Sequence, residues 1–119
     1  IHLHKTGALL KACVTCGALI GGADEKLLDS LRVYARGIGL AFQIIDDILD
    51  VTASSEILGK TAGKDLIADK TTYPKLLGLD ESRRRADYLV AQAKNALDPW
   101  PEKSQPLLAL ADYITNRDR

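Results

Sequence analysis

Apolar residues return every three or four positions through most of the chain, the spacing of one face of an α-helix. A first helix is expected from about His2 to Leu19, with Leu3, Leu10, Val14 and Gly17 along one side, ending at Gly21-Gly22. A second, capped by Asp24, carries Leu27, Leu28, Leu31, Ala35, Ile38, Phe42, Ile45 and Leu49 as a broad apolar stripe and is expected to end at Asp50 or Val51. From Val51 to Pro74 the pattern breaks. Ser54-Ser55, Gly59, Gly63 and alternating Lys and Asp predict a mostly irregular segment there, of a length that compact domains usually keep for function. Pro74 opens a short helix through Leu77, and Asp80 caps another that includes Arg84, Asp87, Tyr88, Ala91 and Lys94 and closes near Leu97, before Asp98-Pro99-Trp100-Pro101. A last helix is expected from near Pro106, with Leu107, Leu108, Leu110, Ala111 and Ile114 as its apolar face.

Composition sharpens this into a fold class. The 119 residues include 15 Ala and 19 Leu, both strong helix formers, while β-branched and aromatic residues show no period-two runs, so the class is all-α. Sixteen basic residues balance sixteen acidic ones. A net charge of zero lacks the basic field of a nucleic-acid binder, so no nucleic-acid partner is expected. The apolar runs are a few residues long, far short of the roughly 18 that cross a bilayer. No apolar leader is visible at Ile1, so secretion is not expected and the location is read as cytoplasmic. The chain contains no Met, and Ile1 is expected not to be the natural start.

The chemistry concentrates where the second helix is most apolar. Asp46, Asp47 and Asp50 interrupt Ile44, Ile45, Ile48 and Leu49, with Gln43 one turn earlier. Asp46 and Asp50 are four apart and therefore stacked on one helix face. Three acids in little more than one turn repel one another near a helix C-terminus, where the macrodipole also disfavours them. A cation is the natural partner. Oxygen-only donors argue against soft transition metals, and the spacing does not match a calcium loop, which leaves Mg²⁺. Because Mg²⁺ takes one or two carboxylates and completes its shell with waters and phosphates, the site predicts a phosphorylated ligand. An exposed acidic helix end that binds nothing is the competing reading. Cations for a phosphate are present: Lys5 beside Thr6, and Lys60, Lys64 and Lys70 with Gly59 and Gly63 between and before them.

Other patterns carry less. Gly59-Lys60-Thr61 lacks the Gly that a nucleotide P-loop places five residues earlier, since position 54 is Ser, and it follows a helix rather than a strand. Cys13 and Cys16 form a CxxC without a second pair and within a helix, so they are read as small packing residues. His2 and His4 fall on different helix faces and are not expected to share a metal.

Five motifs in order resemble the trans-type polyprenyl diphosphate synthases, most closely the short-chain geranylgeranyl and farnesyl diphosphate synthases. His4-Lys5-Thr6-Gly7-Ala8-Leu9 is similar to the Lys-Thr helix of that family, and Gly39 to Gln43 with Asp46-Asp47-Ile48-Leu49-Asp50 to its second aspartate-rich motif. Gly59 to Leu66 is similar to its phosphate loop, Asp69-Lys70-Thr71-Thr72-Tyr73-Pro74 to the signature that follows, and Leu110 to Ile114 to its terminal helix. The resemblance implies that residues 1–119 are the C-terminal part of one isoprenoid-synthase helical bundle. Asp46-Asp47 is the only Asp-Asp pair, so the first aspartate-rich motif lies outside the chain. By the same resemblance the whole enzyme joins an allylic diphosphate to isopentenyl diphosphate, with geranylgeranyl diphosphate the expected product. Mg²⁺ would be held by Asp46 and Asp50, with Asp47 in the same cluster. Lys5, Lys60 and Lys70 would contact the diphosphate, and Thr6 and Gln43 would line the site. A homodimer is implied, and the plastid stroma is the alternative location. This chain alone is expected to be inactive. The alternatives are a farnesyl diphosphate synthase and a non-catalytic helical partner of a complete synthase.

Overall fold

A computed structural model describes residues 2–57 and 72–117, with side chains placed for 6–53 and 72–117. These residues form α1 (His2–Ile20), α2 (Glu25–Ile57), α3 (Tyr73–Leu77), α4 (Leu79–Asn95) and α5 (Gln105–Thr115), and no strand occurs among them. The all-α expectation holds.

The junction between α1 and α2 follows from its residues. Gly22 adopts a left-handed φ of 80°, open to glycine at no steric cost. The Ala23 amide then donates back to Ala18 O at 2.9 Å and the Gly22 amide to Leu19 O at 3.2 Å, satisfying carbonyls that the end of α1 leaves unpaired. Asp24 starts α2 by accepting the Leu27 amide at 2.8 Å, as its side chain predicts.

Helix α2 is the axis on which the others pack. Its contacts are most extensive with α4 and α1, while α5 lies against both α2 and α4. Two glycines two residues apart, and so on opposite faces, let the neighbours in. A Cβ at Gly37 would lie 3.0 Å from Leu89 O and 3.1 Å from Ala93 Cβ of α4. One at Gly39 would lie 3.3 Å from Gly7 Cα of α1. Between these crossings Tyr34, Ile38, Ala41, Ile44, Ile45 and Ile48 meet Ala86, Val90, Ala93 and Leu97 of α4 and Ala111 and Ile114 of α5 in one core. Each fully buried isoleucine is worth about 1.5–3 kcal/mol, so the rotation of α2 about its axis is strongly specified. The Tyr34 hydroxyl donates to Leu107 O at 2.7 Å and ties α5 to the axis.

Three details differ from the sequence reading, and one stretch is not described. Helix α2 runs to Ile57 rather than ending at Asp50 or Val51, because no Gly or Pro interrupts residues 51–57; within this run the Thr52 hydroxyl donates to Ile48 O at 2.8 Å. Residues 58–71, including the proposed phosphate loop, lie outside the described residues. Asp80 sits inside the first turn of α4, whose cap is Gly78 at φ 87°. Cys13, Cys16 and Gly17 face outward from α1, and Leu110 is exposed on α5. Leu9, Leu19 and Ile20 are exposed on α1 as well, Ile20 at 87%.

Candidate active site

The core requirement on α2 decides where its polar residues go. Ile44 and Ile45 are at 0% exposure, so positions 43, 46, 47 and 50 form a stripe on the side turned away from that core. Gln43, Asp46 and Asp47 are half-buried along it and Asp50 is exposed.

Each acid meets a different partner. Gln43 Nε2 donates to Asp47 Oδ1 at 3.1 Å, one turn apart. Asp47 also accepts the backbone amide of Tyr73, the first residue of α3. Burial pushes the Asp47 carboxyl above its usual range, the neighbouring Asp50 and Asp46 charges add to that, and the two hydrogen bonds oppose it. Asp46, with its side chain 39% exposed, is paired with Arg117 at 2.8 Å. The Arg117 guanidinium lies 4.3 Å from the centre of the Phe42 ring and donates to Phe42 O at 3.4 Å. The residues that follow α5 therefore return to the acid stripe.

The structure brings some of the sequence candidates together. Gly7 touches Gly39, so the first turns of α1, with Lys5 and Thr6, cross α2 one turn before Gln43. Thr6 is half-buried there. The Lys5 side chain, Lys60 and Lys70 lie outside the described residues. Thr72 caps α3 by accepting the Lys75 amide at 3.4 Å, and the next residue, Tyr73, reaches Asp47. Arg117 and the Tyr73 amide escaped the sequence reading. Tyr73 lay inside a quoted motif, whereas no local pattern marks Arg117.

The donor set fits Mg²⁺ in a restricted way. All the donors are carboxylate oxygens, the class that Mg²⁺ prefers. No group of three or more acidic, His or Cys side chains converges on one point among the described residues, so they form no all-protein cage. That suits a cation that keeps most of its shell for water and phosphate. Asp46 and Asp50 share a face of α2, while Asp47 is committed to Gln43 and Tyr73.

The model of the polyprenyl synthetase family matches residues 1–103. The chain belongs to that family. It is 59% identical over 119 residues to the chloroplastic geranylgeranyl pyrophosphate synthase of Catharanthus roseus, covering 99% of this chain and 33% of that protein. It is 60% identical over 117 residues to a dimethylallyltranstransferase of Fischerella ambigua, covering 98% and 34%. Its fold is similar to the apo crystal structure of an FPP/GFPP synthase from Zymomonas mobilis, with a TM-score of 0.74 and 38% identity over 93% of this chain and 34% of that one. The chain thus spans about a third of the length of these relatives. No helix of the described residues is long and apolar enough to cross a membrane.

Proposed function

We propose that this polyprenyl synthetase segment is the C-terminal part of a single synthase domain and supplies the leaving-group half of a Mg²⁺-dependent prenyltransferase site. The whole protein would join an allylic diphosphate to isopentenyl diphosphate, with geranylgeranyl diphosphate as product. The observation that carries this reading is the stripe of Gln43, Asp46, Asp47 and Asp50 on the side of α2 opposite fully buried Ile44 and Ile45, beside the arriving ends of α1 and α3.

In this reading Asp46 and Asp50 hold Mg²⁺, which when bound neutralises the charge that grows on the departing diphosphate. Asp47 acts differently, fixing the start of α3 relative to α2 through the Tyr73 amide. Lys5, Lys60 and Lys70 contact the diphosphate oxygens and add preorganised positive charge where negative charge develops. Thr6 and Gln43 line the space next to the reacting carbons. The apolar side chains of the bundle keep water from the allylic cation left when the carbon–oxygen bond breaks. Attack by the isopentenyl double bond and loss of a proton then complete the longer chain. A homodimer and a plastid-stromal or cytoplasmic location belong to the same proposal, the stroma being favoured by chloroplastic relatives.

The test is direct. The complete protein that contains this segment is incubated with isopentenyl diphosphate and dimethylallyl, geranyl or farnesyl diphosphate, with Mg²⁺ or with chelator. Geranylgeranyl diphosphate formed only with Mg²⁺ is the expected result. Farnesyl diphosphate as the end product would replace the product assignment, and no condensation with any allylic substrate would overturn the reading.

A further inference from the structure

Arg117 is placed by a rigid set of contacts rather than by a free tail. Ile114 is buried, Thr115 O accepts Arg83 Nη1 at 2.9 Å, and the Asn116 amide donates to Asp112 O at 3.1 Å, so only Asn116 separates a pinned helix end from Arg117. The guanidinium is then held from two sides, by the Phe42 ring at 4.3 Å and by Asp46 Oδ1 at 2.8 Å. Its side chain is 18% exposed, well below the 46–69% of the Arg32–Asp29 and Arg84–Glu81 surface pairs. Phe42, Asp46 and Asp50 lie at four-residue intervals, so the cation rests on the face that Asp46 and Asp50 share.

The position has an electrostatic consequence. Three acids crowd one turn of α2, and among the described residues Arg117 is the cation in ion-pair contact with them. A divalent cation coordinated by the Asp46 carboxylate would sit within a few ångströms of the guanidinium, where like charges in a partly desolvated site repel strongly. Both cannot hold that carboxylate at full strength. Resting on the metal-binding role given above to the aspartates, we propose that Arg117 is the counter-ion that keeps Asp46 occupied until a divalent cation displaces it, so that metal loading frees the turn after α5. The Phe42 ring gives the pair its geometry through cation–π attraction, and α5 with its following turn becomes a latch on the site.

The experiment uses the complete protein and Mn²⁺ with inorganic pyrophosphate, with bound Mn²⁺ read by electron paramagnetic resonance. Arg117→Gln removes the competing charge and is expected to bind Mn²⁺ about 1.5- to 5-fold more tightly, the range for losing a partly exposed pair. Arg117→Lys keeps the charge and should stay near wild type. Unchanged or weaker Mn²⁺ binding by Arg117→Gln overturns the proposal. Asp46→Asn separates the two claims: if it leaves Mn²⁺ binding intact, the aspartates' role falls, whereas weakened binding there beside an unaltered Arg117→Gln removes the latch alone. Hydrogen exchange in the wild-type protein tests the latch without a variant. Exchange of the backbone amides at 115–117 should accelerate when Mn²⁺ and pyrophosphate are added, and slowed or unchanged exchange counts against it.

Discussion

Gln43 and Asp47 are joined by a 3.1 Å hydrogen bond across one turn of α2, and the same carboxyl takes the backbone amide of Tyr73. One acid of the stripe is therefore part of the scaffold. Gln43→Ala should lower stability by about 1 kcal/mol, the usual worth of such a bond. Gln43→Glu should lower it further at neutral pH, because a second carboxylate then faces Asp47 in place of a donor. Denaturant midpoints in the presence of chelator check the order wild type, Gln43→Ala, Gln43→Glu, and a Glu variant as stable as wild type would contradict the assignment.

The approach of α4 to α2 depends on the missing side chain at Gly37. A methyl group there meets Leu89 O at 3.0 Å and Ala93 Cβ at 3.1 Å, and a backbone oxygen cannot rotate away. Gly37→Ala is expected to cost about 1–3 kcal/mol through overpacking. Gly7→Ala, inside α1, meets nothing within 4 Å and should stabilise by about 0.5–1 kcal/mol through helix propensity. Thermal melts of the two variants in the complete protein should differ accordingly.

Tyr34 supplies a pH dependence of known sign. Burial pushes its hydroxyl from 10 up to about 12, because the phenolate would be stranded in the core. The folded state therefore keeps the proton that the unfolded chain gives up, so this residue's contribution is intact below pH 10 and is lost as the pH rises toward 12. The loss approaches about 1.4 kcal/mol per pH unit within that window. Tyr34→Phe should be less stable than wild type at neutral pH by about 1 kcal/mol, since Leu107 O loses its donor. Its stability should also fall less steeply across the alkaline window. Denaturation at several alkaline pH values measures both effects, and parallel alkaline profiles would contradict the burial argument.

Much of the architecture could be read from local pattern because the signals were themselves local. Gly21-Gly22 followed by Asp24, and Thr72-Tyr73-Pro74, carry their helix boundaries within a few residues. The end of α2 lies beyond the expected one because Ser54-Ser55 weakens a helix without stopping it, and no Gly or Pro stands between them and Gly59. Asp80 looked like a cap because the glycine that takes that role, Gly78, offers no side-chain signature. The acid stripe was visible as charge in an apolar run. Its partners were not: the Tyr73 amide and the Arg117 guanidinium come from parts of the chain distant in sequence, and only the packing of α3 and α5 brings them to Asp47 and Asp46.

The central claim is that the α2 stripe grips divalent metal carrying a diphosphate, and Asp46→Asn in the complete protein tests it most directly. Calorimetric titration with inorganic pyrophosphate, with and without Mg²⁺, is the measurement. The account predicts that wild type binds pyrophosphate in a Mg²⁺-dependent manner and that Asp46→Asn, with the helical circular-dichroism signal retained, loses at least about tenfold in that affinity, the least that losing even an outer-shell partner of a metal ligand costs. Mg²⁺-dependent binding that is unchanged in Asp46→Asn would contradict it.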